Sequence, residues 1–163
     1  MEVGAFEETG IFRLPGDFEQ IETIKDKFSE GDFEIKTKDP HVLASLFKLW
    51  LRELAAPLVP KSIYFECIKI ADDRDKCIEM MMKLPQLNLC VVIFVIQFLS
   101  SILTDEFYQK TKMDTENISV VFTPNFIRND EITNPKDIMQ NAPREKLFVK
   151  NLILSAKTPQ KEK

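Results

Sequence analysis

The stretch PHVLASLFKLWLRELAAPLVP, residues 40–60, sets Val42, Leu43, Leu46, Phe47, Leu49, Trp50 and Leu54 at the spacing of one α-helical face. Asp39 stands where a side chain can cap the first turn, and Pro40 fits the first helical position. Pro57 and Pro60 end the helix after about Leu54. At about 100° per residue, His41, Ser45, Lys48 and Arg52 fall in a band of about 60° opposite the apolar face. Lys48 and Arg52 are four apart, so two like charges sit side by side at a small cost in helix stability, and the stripe contains no carboxylate. Taken alone, it reads as a surface stripe whose charges pair elsewhere. Glu53 projects toward Leu49 and Trp50 and needs a donor if buried, unless the last turn frays; a structural partner is expected for it, not a catalytic role.

Outward from this helix, start and stop signals for further helices recur, with no period-2 alternation of any length. Asp17 and Gln20 form a capping-box pair ahead of Phe18, Ile21, Ile24 and Phe28, in a helix ending near Gly31. Short helices are predicted over residues 62–71 and 74–83, closed by Pro85. Asn88 is placed to cap a central core helix over 89–103, and Asp114 to cap a helix through Ile118, Val121 and Phe122 that stops before Pro124. Asn134-Pro135 repeats the cap-and-proline start, and a last helix from about Pro143 aligns Leu147, Phe148, Leu152 and Ile153. The expected fold is all-α: a compact single-domain bundle of about eight helices over residues 1–156, followed by a polar, frayed tail at 157–163.

At 163 residues with 44% hydrophobic and 29% charged residues, the chain has the composition of one soluble globular domain, and thirteen Phe point to a core filled with rings. A net charge of −4 gives no field attractive to nucleic acid or anionic lipid. Cys67, Cys77 and Cys90 lie in apolar helical patterns without C-x-x-C spacing, so buried free thiols in a reducing cytoplasm are expected, with no metal site. No signal peptide is visible at Met1–Gly4. Residues 89–103 would span only about 22 Å as a helix, short of a ~30 Å hydrocarbon layer, so no direct membrane insertion is expected. His41 is the single histidine, with no second base, nucleophile motif or Gly-rich phosphate loop near it, which leaves hydrolase chemistry of the chain's own unsupported.

Ahead of the first helix, TGIFRLPGD (9–17) sets Arg13 between Phe12 and Leu14, with Gly10 and Gly16 at the ends and Pro15 stiffening the stretch. By itself Arg13 reads as an arginine paired with Asp17 in a turn. Three segments taken together say more: GIFRLPGD (10–17), the helix of residues 40–60, and KMDTENISVVFTPNFIR (112–128), with LPQLN (84–88) between. In this order and spacing they resemble the RhoGAP domain, the GTPase-activating domain of proteins that act on Rho-family GTPases. The resemblance runs from about Gly10 to Ile153, and the readings GIFR-PGD and KLW-REL are most similar to the Vilse-like subgroup.

The resemblance implies an all-helical domain, a monomeric part of a larger cytoplasmic protein, that docks on a GTP-bound Rho, Rac or Cdc42-type GTPase and accelerates its GTP hydrolysis. Membrane recruitment would fall to other segments. The domain would bring no cofactor of its own, because GTP and Mg are held by the partner. Arg13 stands at the family's catalytic arginine finger. Lys48 and Arg52 stand at the paired basic positions that line the GTPase-binding face and support the finger loop. Asn125 stands at the asparagine that contacts the GTPase and helps hold that surface, and by its position it also reads as a helix C-cap. On this reading Gly10 and Gly16 supply unusual backbone angles while Ile11, Phe12 and Leu14 bury, leaving Arg13 outward. Departures are Thr9, Ala55 and Thr123, where Glu, Pro and Gly or Ala are common, and a first helix that is short or truncated, since only twelve residues precede Arg13. None removes a reacting group. The alternative of a different class is a non-catalytic GTPase-binding module; the retained arginine favours catalysis. A helical scaffold unrelated to GTPases would leave the motifs as coincidence.

Overall fold

Asp, Asn and Thr side chains start six of the eight α-helices seen among the described residues. The computed structural model describes residue 4 and residues 6–156. Its elements are α1 (Phe18–Ser29), α2 (Pro40–Glu53), a 3-10 turn (Lys61–Ile63), α3 (Tyr64–Lys69), α4 (Arg74–Met81), α5 (Gln86–Ile102), α6 (Asp105–Thr111), α7 (Thr115–Phe126) and α8 (Pro135–Ser155). Asp17, Asp39, Asp73, Thr104, Asp114 and Asn134 each accept a first-turn backbone N–H, satisfying a donor the helix cannot. Only half of the capping box forms at α1: Asp17 accepts from Gln20 N–H at 2.9 Å, while the Gln20 side chain accepts from the Thr37 hydroxyl. Gly31, at φ 86°, closes α1 as the left-handed residue of a Schellman turn, with Asp32 N–H on Lys27 O at 2.9 Å. The described residues contain no strand, and the tail expected at 157–163 lies outside them.

Several boundaries differ from the sequence reading. α5 starts at Gln86, with Pro85 rather than Asn88 at its cap. Asn88 sits inside the first turn and donates to Leu58 O at 2.9 Å and Pro57 O at 3.3 Å, tying α5 to the segment after α2. α7 runs through Pro124 to Phe126. The proline removes only the bond to Val120 O, whose residue is exposed, and flanking side chains add bonds: Thr123 Oγ1 donates to Ser119 O and Asn125 Nδ2 to Val121 O. Likewise Pro143 does not begin a helix but lies within the single 21-residue α8, where the carbonyl it orphans belongs to the exposed Met139. α6 was not expected, although Thr104 followed by Asp105 and Glu106 is a normal helix start. One helix missed and two merged leave the expected total of eight.

α8 packs against α3, α4, α5 and α7, while α7 also packs on α2 and α1 lies on α2. The core is rich in rings, yet Phe18, Phe33, Phe65 and Phe94 are more than half exposed, so thirteen Phe do not mean thirteen core residues. Nor is α5 buried all round: Leu87, Cys90, Phe94, Gln97 and Ser101 form an exposed stripe. That geometry corrects the expectation of three buried thiols, because Cys90 lies on the stripe while Cys67 and Cys77 are buried, their thiols pushed up by burial to about 12 and about 11. Among the described residues no single helix is long and apolar enough to cross a membrane. Four rings from four segments close a circuit: Phe12 with Phe98 (6.3 Å) and Phe122 (5.3 Å), and Phe47 with Phe98 (5.9 Å) and Phe122 (6.0 Å). Edge and tilted aromatic contacts of this kind add to area burial. They seat the stretch before α1 directly in the core between α2, α5 and α7.

α7 and α8 are also joined electrostatically. Glu116 accepts from Lys146, and from Lys150 at 2.7 Å, and these ammonium groups hold its carboxyl down at about 2. Because the folded value lies below the ~4.3 of an unfolded glutamate, this contribution is complete above about pH 4.5 and lost as pH falls toward 2. Glu116→Gln is expected to flatten that segment of the melting temperature against pH; exposure of the side chain holds the effect to about 1 kcal/mol or less.

Candidate functional site

The stretch before α1 folds as a loop fixed at three places. Gly10, at φ 74°, donates its N–H to Thr111 O at 2.7 Å, and its own carbonyl accepts from the N–H groups of Arg13 and Leu14, both at 2.9 Å. Phe12 is left-handed as well, at φ 68°, a conformation costing a bulky residue roughly 1–2 kcal/mol. Its buried ring, held in the aromatic circuit, offsets that strain, and its carbonyl accepts from Lys48 Nζ of α2. Further on, Gly16 N–H donates to Ser45 Oγ of α2 at 3.0 Å.

Gly10 supplies an unusual backbone angle, as expected; Gly16 does not. Gly16 is required for close approach, since a Cβ there would lie 2.5 Å from the Val42 N and Cα atoms. The second left-handed residue is Phe12 instead. Ile11 and Phe12 bury, whereas Leu14 is 44% exposed and does not. The described residues ahead of Arg13 form turns and no helix.

The polar stripe of α2 is not the solvated face that it resembles in isolation. His41, Ser45 and Lys48 are partly buried beneath the loop. Lys48 has its ammonium on a backbone carbonyl, and burial together with the neighbouring Arg52 charge moves its pKa down. Arg13 and Arg52 are exposed, and among the described residues neither forms a salt bridge. Asp17 caps α1 rather than pairing with Arg13. Glu53 does find a structural partner, Lys25 of α1 at 3.2 Å. Among the described residues Arg13 and Arg52 thus stand exposed without a carboxylate partner, beside Lys48, which is turned inward.

Asn125 is fully buried in the last turn of α7 and is not its C-cap, a place taken by Ile127. With Nδ2 on Val121 O, its Oδ1 is buried without a partner. Arg128 reaches from beyond α7 to the last carbonyl region of α2, donating to Leu54 O at 3.3 Å. The structure thus brings Arg13, Lys48 and Arg52 to the loop–α2 face and sets Asn125 beneath the surface of the packed α7. Sequence reading allows Lys48 or Arg52 to orient the loop through its carbonyls but does not single out Phe12, because nothing marks a phenylalanine as left-handed. Ser45 was legible only as a member of the stripe. The described residues hold no cluster of His, Cys, Asp or Glu able to bind a metal.

Comparison with known proteins identifies the family. The RhoGAP domain family model matches residues 1–131. The chain belongs to the RhoGAP domain family. It is 37% identical over 149 residues to GTPase activating protein homolog 3 of Dictyostelium discoideum, covering 91% of this chain and 11% of that protein. It is 32% identical to mouse Rho GTPase-activating protein 22, covering 82% of this chain and 20% of the relative. The chain thus spans a fifth or less of the length of these two relatives. In structure, the BH domain from GRAF, the GTPase regulator associated with focal adhesion kinase, superposes with a TM-score of 0.80 at 19% identity, covering 93% of this chain and 83% of that one. Human Rho GTPase activating protein 15 gives 0.78 at 21% identity, with 93% and 75% covered. These two likenesses establish the fold.

In this RhoGAP domain, Gly16→Ala is expected to push the loop off α2 and lower unfolding free energy by about 1–3 kcal/mol, the usual cost of forcing atoms into a filled contact. Urea denaturation of the two proteins measures it.

Proposed function

We propose that this RhoGAP domain accelerates GTP hydrolysis on a Rho-family GTPase in its GTP-bound state by lending Arg13 to the partner's nucleotide site. The observation that carries the reading is an exposed arginine on a loop whose neighbouring carbonyl is held by Lys48, with no salt bridge to it among the described residues. Phosphoryl transfer to water spreads negative charge over the γ-phosphate oxygens and the bridging oxygen, and a small GTPase alone stabilises it incompletely. Guanidinium suits this charge because it is permanently cationic, planar and able to donate two parallel hydrogen bonds to phosphate. A loop fixed before association loses little freedom when Arg13 enters the partner.

The remaining residues divide the work. Lys48 holds the Phe12 carbonyl and so positions Arg13. Arg52, exposed and without a salt bridge among the described residues, is available for acidic residues of the GTPase surface. Asn125 shapes the end of α7 beneath that surface. The domain contributes no cofactor and no turnover of its own; GTP and Mg belong to the partner. Three free cysteines support a reducing, cytoplasmic setting.

Phosphate release from GTP-loaded Rho, Rac and Cdc42-type proteins tests the proposal. The wild-type domain is expected to raise the rate of at least one of them. Arg13→Ala is expected to remove roughly 10³-fold or more of that rise while leaving binding nearly intact, since the finger acts in the transition state. Lys48→Ala is expected to lower the stimulated rate, and Arg52→Ala to weaken association and flatten its salt dependence. Tight binding of GTP-loaded partners with no acceleration would make the domain a binding module instead.

A further inference from the structure

We infer that Ser45 is a positioning residue for Arg13, acting as the second of two clamps that α2 places on the finger loop. The inference rests on the role proposed above for Arg13. Lys48 fixes the carbonyl of Phe12, the residue immediately before the finger. Gly10 and the Phe12 ring hold the same upstream side of Arg13, which leaves the downstream side free to swing. Ser45 removes that freedom by accepting the N–H of Gly16, three residues after Arg13, at 3.0 Å. Ser45 and Lys48 are one turn apart on the same face, so both sides of the finger are referenced to a single rigid helix.

Two further features leave little slack between the clamps. Only Leu14 and Pro15 separate Arg13 from Gly16, and the proline ring fixes one of the intervening backbone angles. Gly16 lies so close to α2 that a Cβ would meet the Val42 backbone, so the loop cannot settle deeper onto the helix. The α2 residues that fill the buried apolar clusters are Val42, Ala44 and Leu51, whereas the Ser45 hydroxyl is engaged with the loop. Its acceptor instead satisfies the backbone donor that marks the far end of the finger segment.

The effect expected of removing the hydroxyl is a looser guanidinium, and small errors in the placement of a catalytic group carry large losses in rate. Single-turnover GTP hydrolysis should be measured with wild type, Ser45→Ala, Ser45→Thr and Arg13→Ala, and with Ser45→Ala combined with Arg13→Ala. Ser45→Ala is expected to lower the stimulated rate about tenfold with the affinity for the GTP-loaded partner unchanged, and Ser45→Thr to recover most of it. In the Arg13→Ala background the serine substitution is expected to do nothing more, because a positioning group has no effect once its client is gone. Amide exchange on the free domain should show faster exchange at Gly16 in Ser45→Ala. A Ser45→Ala domain as active as wild type, or one that loses the same factor with and without Arg13, overturns the inference. If wild type accelerates no GTPase, the functional reading fails instead, and unchanged Gly16 exchange in Ser45→Ala would still dispose of the clamp.

Discussion

The bond from the Lys48 ammonium to the Phe12 carbonyl is the constraint around which the loop–α2 face is arranged. It joins the loop to the middle of α2, and it requires a charged group to be half-buried without a carboxylate. Such a group is tolerated because one of its donors meets a carbonyl whose residue is itself fixed. Phe12 takes up a strained left-handed conformation, and its ring enters the circuit with Phe47, Phe98 and Phe122. Strain in the backbone, burial of the ring and the charge-assisted bond therefore depend on one another. The consequence is that Arg13 projects from a backbone whose direction is set by the core.

Cations are spent on this face in two different ways. Sequence spacing makes Lys48 and Arg52 look equivalent, two basic residues one turn apart. The structure separates them: Lys48 turns inward to the loop, whereas Arg52 stays exposed with no salt bridge among the described residues. Other lysines among the described residues do pair with carboxylates, as Lys146 and Lys150 do with Glu116.

Much of the fold was legible because its helices are punctuated chemically: Asp17, Asp39, Asp114 and Asn134 all cap where their position suggests. Prolines misled in both directions. Pro124 and Pro143 were read as boundaries, yet each orphans only a carbonyl on an exposed residue, and tertiary packing of Phe122, Phe126 and Phe148 outweighs that loss. The meeting of Arg13, Lys48 and Arg52 on the loop–α2 face was legible through the motifs that carry them. The candidate site was not legible at Phe12, whose left-handed backbone is imposed by packing, nor in the burial of Asn125, which depends on how α7 meets its neighbours. Gly16 was singled out for the wrong reason, since spacing along a chain cannot reveal how near a distant helix backbone will come.

A crystal of the domain with a Rho-type GTPase, GDP and a planar fluoride mimic of the transferring phosphoryl group tests the central claim most directly. The expected structure has the Arg13 guanidinium against the fluoride, with Phe12 still left-handed and Lys48 still on its carbonyl. A structure with Arg13 directed away from the nucleotide, or with Lys48 released from Phe12 to ligate the partner, would contradict the idea that the loop is set for catalysis before the two proteins meet.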